Sequence, residues 1–176
     1  MRAARRILSR RRVLQASLGA VTLVLGGGVG GLLALRGCAP HVDGLRCLSD
    51  QEYRTLGAAA TALFPEGGAF PVGAAQFDLA RAFDGFLADE DDDRRTDLKR
   101  ALMLLEYGPV VYERRAVTFS HLPAEERVAH FERWQTSDDL VRRQVALALR
   151  KFLSVVFYDR PEVWPHIGYT LLPVPA

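Results

Sequence analysis

The chain has 176 residues, 49% of them hydrophobic and 25% charged, with a formal charge of +2. That charge is unevenly placed: residues 1–37 hold seven arginines and no acid, which leaves 16 basic against 21 acidic side chains, a net of −5, for residues 38–176. For such a body no basic face is expected, which argues against a nucleic-acid partner, and its length suffices for one domain with its own core.

Six of the first twelve residues are arginine. Among them Ser9, Arg10 and Arg11, followed by Arg12, Val13 and Leu14, give a serine, an arginine pair, any residue and two apolar positions. The pattern resembles the twin-arginine export signal of bacteria, whose translocase carries proteins that are already folded. The body is therefore expected outside the cytoplasm, on the periplasmic side of the inner membrane or exported and membrane-tethered. Residues 13–35 are largely apolar, interrupted by Gln15, and would span roughly 35 Å as a helix, against a hydrocarbon core of about 30 Å. Gly19, Gly26, Gly27, Gly28, Gly30 and Gly31 lower its hydrophobicity, which suits a signal core better than a strong anchor. The spacing of Gly26 to Gly30 and Gly27 to Gly31 would also suit a helix-dimer face.

Leu35-Arg36-Gly37-Cys38 has the outline of a lipoprotein box, with Cys38 as the candidate lipidation residue and Arg36 out of character for its place. Three fates stay open: a lipidated Cys38, an uncleaved anchor, and cleavage elsewhere. The arginines before the apolar segment orient it with the body outside. Cys38 and Cys47 are the two cysteines. They can pair in an oxidising compartment, or Cys47 stays free if Cys38 carries lipid. Without histidines at ligand spacing they make no zinc site.

Residues 38–48 read as a linker. Ser49-Asp50-Gln51-Glu52 has the form of a capping box, in which the serine oxygen accepts from the amide three residues on and the glutamate reaches back. Tyr53, Leu56, Ala60 and Leu63 follow at helical spacing, and residues 65–73, with two prolines and three glycines, form a loop. A second helix is predicted over 74–88, with Leu79, Phe83, Phe86 and Leu87 on one face. The acidic run 89–93 reads as a solvated loop. A calcium loop starting at Asp89 would need glycine and glutamate where Arg94 and Arg100 stand. Thr96 opens a third helix, through Glu106, which Gly108-Pro109 stops.

Pro123 opens a fourth helix, with Glu125 and Glu126 in its first turn and Val128, Phe131 and Trp134 inside. Ser137-Asp138-Asp139 caps the fifth and longest, over 138–158. Its apolar set (Leu140, Val141, Val145, Ala148, Leu149, Phe152, Val155 and Val156) is too wide for one stripe and predicts a central helix. Asp159-Arg160-Pro161 breaks it before a short turn through Trp164. No segment alternates as a strand. The fold class is all-α: a single bundle of about five helices over 49–176, behind a signal or anchor helix over 1–37.

Residues for chemistry are sparse. His41, His121, His130 and His166 lie far apart, and His130 at the edge of an apolar stripe reads as structural. Ser120-His121 are chain neighbours, whose side chains rarely face each other. Gly67-Gly68 lacks the lysine of a phosphate loop, and no carboxylate pair stands out. An exported body of this kind is more often a subunit or binding module than an enzyme. Trp164, Ile167 and Tyr169 sit on a segment too short for a core of its own. Either they pack back on the bundle or they anchor a partner.

The capped opening, Leu48-Ser49-Asp50-Gln51-Glu52-Tyr53 through Ala62-Leu63-Phe64-Pro65, resembles that of the gluconate 2-dehydrogenase subunit 3 family. The ending, Tyr158-Asp159-Arg160-Pro161-Glu162-Val163-Trp164-Pro165-His166-Ile167-Gly168-Tyr169, resembles that family's closing pattern of aromatic, Asp-x-Pro, tryptophan and Ile-Gly-Tyr. The resemblance covers roughly residues 45–170, with the middle matching only as helices. It implies a non-catalytic accessory subunit that binds no cofactor itself. Its partner would be a large glucose-methanol-choline-type dehydrogenase subunit holding FAD, with a cytochrome c often taking the electrons. The small subunit's signal would carry the folded large subunit through the twin-arginine translocase, and the lipid box or apolar segment would tether the pair to the membrane. The alternatives are a tethered helical scaffold without a redox partner and an enzyme whose site does not show in the sequence.

Overall fold

A computed structural model describes residues 39–69 and 71–169. Among these residues the fold is all-α, with six α-helices, three short 3-10 turns and no strand. The helices are α1 (Asp50–Leu63), α2 (Leu79–Ala88), α3 (Asp92–Glu106), α4 (Gly108–Glu113), α5 (Ala124–Gln135) and α6 (Leu140–Tyr158). The arginine motif (Ser9, Arg10, Arg11, Val13, Leu14), the apolar segment and Cys38 lie outside the described residues.

Local chemistry sets the helix starts. At α1 the capping box forms as the sequence predicts: the Glu52 amide donates to Ser49 Oγ, and the Ser49 amide donates to Glu52 Oε2 at 2.8 Å. The acidic run is not all loop. Asp91 caps α3 by accepting from the Arg94 amide, and Asp92 and Asp93 form its first turn. Acids belong there because the first amides of a helix lack partners and its N-terminus carries partial positive charge. Residues 74–88 do not make one helix. A 3-10 turn at Ala74–Phe77 ends at Asp78, whose left-handed backbone (φ 43°) restarts the chain as α2. Asp78 then caps the Arg81 amide and accepts the Tyr53 hydroxyl at 2.7 Å.

Gly108-Pro109 redirects the chain rather than ending helix there. After Tyr107 the six-residue α4 begins with proline in its first turn, a position that needs no amide donor. Gly108 is required by close approach: a Cβ at this position would lie 2.4 Å from the Trp134 ring and 2.9 Å from His130 Nε2.

α1 and α6 both pack against α2, α3 and α5, so these three form the middle of the bundle. Val145, Ala146, Leu149, Leu153, Val156 and Phe157 of α6 are buried, as are Leu56, Phe83, Leu102, Leu105, Phe119 and Trp134. The end of α1 is fixed to the end of α6 by Phe64 stacked on Phe157, with centroids 4.2 Å apart. The long helix forms as expected over Leu140–Tyr158, but its expected central place needs correction. Its apolar set is not wholly internal, because Leu140 and Val155 stand about half exposed.

The segment leading into the bundle is tied down at two points. Asp50 accepts from the Val42 amide at 3.1 Å. Asp84, buried on α2, accepts from the amides of Arg46, Cys47 and Leu48 at 2.5, 3.0 and 2.7 Å. Burial pushes the Asp84 carboxyl up, but those amides and the Cys47 thiol outweigh it and hold it below the usual carboxylate range. Cys47 is affected in the opposite sense. Burial and the Asp84 carboxylate push its thiol up to about 11, so it stays protonated and a poor nucleophile.

Asp84→Ala leaves three amides without their acceptor, each costing about 1–3 kcal/mol where buried. A loss of roughly 3 kcal/mol or more is expected in urea unfolding. Because the folded-state value is depressed, the contribution of Asp84 is present above about pH 3.9 and fades as pH falls below it. A variant as stable as the wild type at pH 7 would show that the nest does not hold this segment.

Candidate functional site

Three features compete as the site: buried titratable groups, clefts, and an exposed face of α6. The buried groups turn out to be fastenings. Glu106 is buried where α3 meets α1 and the 3-10 turn at Phe119–His121. Its Oε1 accepts from Gln51 Nε2 and Ser120 Oγ, both at 2.8 Å. Its Oε2 accepts from the Ser120 amide at 3.0 Å and lies 2.9 Å from Thr55 Oγ1. Neutral donors from two elements, α1 and the 3-10 turn, thus meet one side chain of α3, and Ser120 is occupied by it. His121 turns elsewhere, with Nδ1 2.8 Å from Thr118 Oγ1. The neighbours Ser120 and His121 therefore form no nucleophile–base pair.

His130 is fully buried, between Phe119 and Trp134. Its Nδ1 lies 2.7 Å from Glu113 Oε1, which also accepts from Arg133 at 2.9 Å. Burial pushes the imidazole down, and the Glu113 carboxylate offsets this only in part, so the ring is neutral at pH 7 and donates from Nδ1. The packed side of Gly108 faces its Nε2, which leaves no room for a substrate.

A histidine depressed in the folded state stabilises the fold above its unfolded value, about 6.5. That stability is lost as pH falls from there toward the lower folded value. The stability difference between wild type and His130→Leu should therefore shrink below about pH 6.5, in urea unfolding measured from pH 8 to pH 5. A difference that grows toward pH 5 would mean that the ring is charged in the fold.

Of the clefts, one of about 340 Å³ lies between the end of α1, α5 and α6. Phe64, Phe131 and Phe157 form its apolar wall, and Gln135 and Arg150, 3.3 Å apart, stand at its rim. A second, of about 390 Å³, lies beside Tyr53, Gly57 and Ala80, and a third, of about 270 Å³, reaches Glu106. Among the described residues no group of three or more His, Cys, Asp or Glu side chains is placed to hold a metal, and no helix is long and apolar enough to cross a membrane.

The third feature is the outer face of α6. Leu140, Leu147 and Val155 are 47%, 52% and 51% exposed, and all lie on the side opposite the buried Leu149 and Leu153. Beyond Tyr158 the closing segment divides its roles. Val163 is fully buried and anchors it. Trp164 is half-exposed and lies across the end of α6, its Nε1 donating to the Tyr158 carbonyl at 3.0 Å. Tyr169 packs edge-on against Trp164 at 5.3 Å and is 52% exposed, and Ile167 is 41% exposed. Of the three residues singled out in the sequence, the structure brings Trp164 and Tyr169 together and leaves Ile167 and Tyr169 largely open. Val163, the actual anchor, and the α6 face were not legible as such. The spacing of Leu140, Leu147 and Val155, one helical side apart from Val145, Leu149 and Val156, is the signal that would have separated two stripes.

Compared with known proteins, the chain matches no family model, no curated sequence and no solved structure.

Proposed function

We propose that this chain is the non-catalytic small subunit of an FAD-dependent dehydrogenase of the glucose-methanol-choline type. In this role it escorts the folded large subunit through twin-arginine export and tethers it on the periplasmic side of the membrane. The large subunit holds the FAD and does the chemistry, and a cytochrome c subunit is a fitting acceptor for its electrons. The observation that carries the reading is the closing segment. Its residues bear the family-like pattern, and Ile167 and Tyr169 are large apolar side chains left on the surface rather than folded into the core. Large aromatic side chains in such a position are typical anchors for a partner protein. The capping box at the start of α1, on the other stretch that carries the resemblance, adds support.

The escort role depends on the arginine pair. The twin-arginine route reads guanidinium groups rather than charge alone, and lysine does not replace them. Replacing Arg10, Arg11 and Arg12 together with lysine should keep this chain in the cytoplasm and its flavoprotein with it, as read by fractionation and flavin content. Normal export of the flavoprotein beside a stranded small subunit would remove the carrier role.

A further inference from the structure

Charge and side-chain spacing on α6 define a surface more specific than an exposed terminus. Along its 19 residues α6 carries Arg142, Arg143, Arg150 and Lys151 and no acid, while residues 38–176 as a whole carry a net −5. Its outward positions are Leu140, Gln144, Leu147, Lys151, Val155 and Tyr158, in steps of four, three, four, four and three residues. This is the interval at which one helix presents knobs to another. The stripe runs about 27 Å at about 1.5 Å per residue. At roughly 10 Å wide it offers a few hundred Å², below the roughly 800 Å² per partner of a standard interface. Trp164 and Tyr169, attached to the end of α6 through the Tyr158 carbonyl, extend it.

Three occupants can be compared. A second copy would set one acid-free basic helix against another, and like charges across an interface are unfavourable. A bilayer would prefer an apolar residue at the middle of the stripe, where Lys151 stands between Leu147 and Val155. A protein partner with an apolar ridge and carboxylates beside it meets both features at once: its apolar side chains cover Leu147 and Val155, and its acids answer Lys151 and Arg150.

We infer that the outer face of α6, continued by Trp164 and Tyr169, seats an apolar, acid-flanked ridge of the flavin-bearing large subunit. This rests on the accessory-subunit reading above and assigns it a surface.

The test uses the full chain, purified with its complex from the native membrane in detergent, and reads flavin bound per small subunit. The Leu147→Ser, Val155→Ser double variant changes only exposed positions and should keep the wild-type helical signal. It is expected to lose bound flavoprotein by about tenfold or more, the scale on which interface anchors act. Lys151→Glu should lose a comparable amount, Lys151→Arg should retain it, and binding by the wild type should weaken with added salt. Wild type without any flavoprotein would overturn the accessory-subunit reading itself. Wild type and variants holding flavoprotein equally would leave that reading standing and overturn this surface. Variants that keep the flavoprotein but no longer bind vesicles of phosphatidylcholine and phosphatidylglycerol would assign the face to the membrane instead and overturn the inference. Should the double variant unfold, Lys151→Glu alone decides, since it removes no buried atom.

Discussion

The structure depends on α6 having two unlike sides. One side buries Val145, Ala146, Leu149, Leu153, Val156 and Phe157 against α2, α3 and α5. Burying a side chain of this size contributes about 1.5–3 kcal/mol relative to leaving it in water. α2, α3 and α5 pack on that stripe, and the end of α1 is secured to its far end by the Phe64–Phe157 stack. The other side keeps Leu140, Leu147 and Val155 in solvent at the ordinary cost of exposed apolar area. Nothing in the fold of the monomer requires leucine or valine at those three positions. Surface helix positions are served as well by polar helix formers; single exposed apolar residues are ordinary, and it is their alignment on one side of α6 that sets these three apart.

The buried polar groups tell a consistent story about what this body is built for. Asp84 gathers three backbone amides, Glu106 four donors from two elements, and His130 one carboxylate. Each lies where segments of different sequence position meet, and each joins them. Buried polar groups that are satisfied, as Asp84 and Glu106 are, specify register and docking more than they add net stability, whereas His130 is paired only at Nδ1, its buried Nε2 having no hydrogen-bond partner. Asp84 fixes residues 46–48 to α2, so the segment before α1 is held against the folded body.

The fold class and most helix positions were legible because they rest on short-range signals. Ser49 with Glu52, Pro123 with Glu125 and Glu126, and the Val145–Leu149–Val156 spacing are each readable within a few turns. The errors came where distant residues decide. Asp78 breaks the 74–88 helix because it holds Tyr53, which lies 25 residues away. Asp91 to Asp93 looked like loop because the unsatisfied amides that they serve exist only once α3 forms. Asp84 and Glu106 gave no signal at all, since a lone acid among helix-surface acids looks the same whether it caps a loop or faces water. The candidate interface was half legible: Trp164 and Tyr169 stood out by residue type, whereas the α6 face was merged with the core stripe beside it.

The central claim is that this small helical body exists to hold a flavoprotein against α6 and the closing segment. It is tested most directly by placing a photoreactive residue at position 147, in place of Leu147, and at position 125, on α5, in cells that make the native complex. The account predicts that illumination joins position 147, and not position 125, to the FAD-bearing subunit. Adducts from position 147 only to lipid or to a second copy of this chain would contradict it.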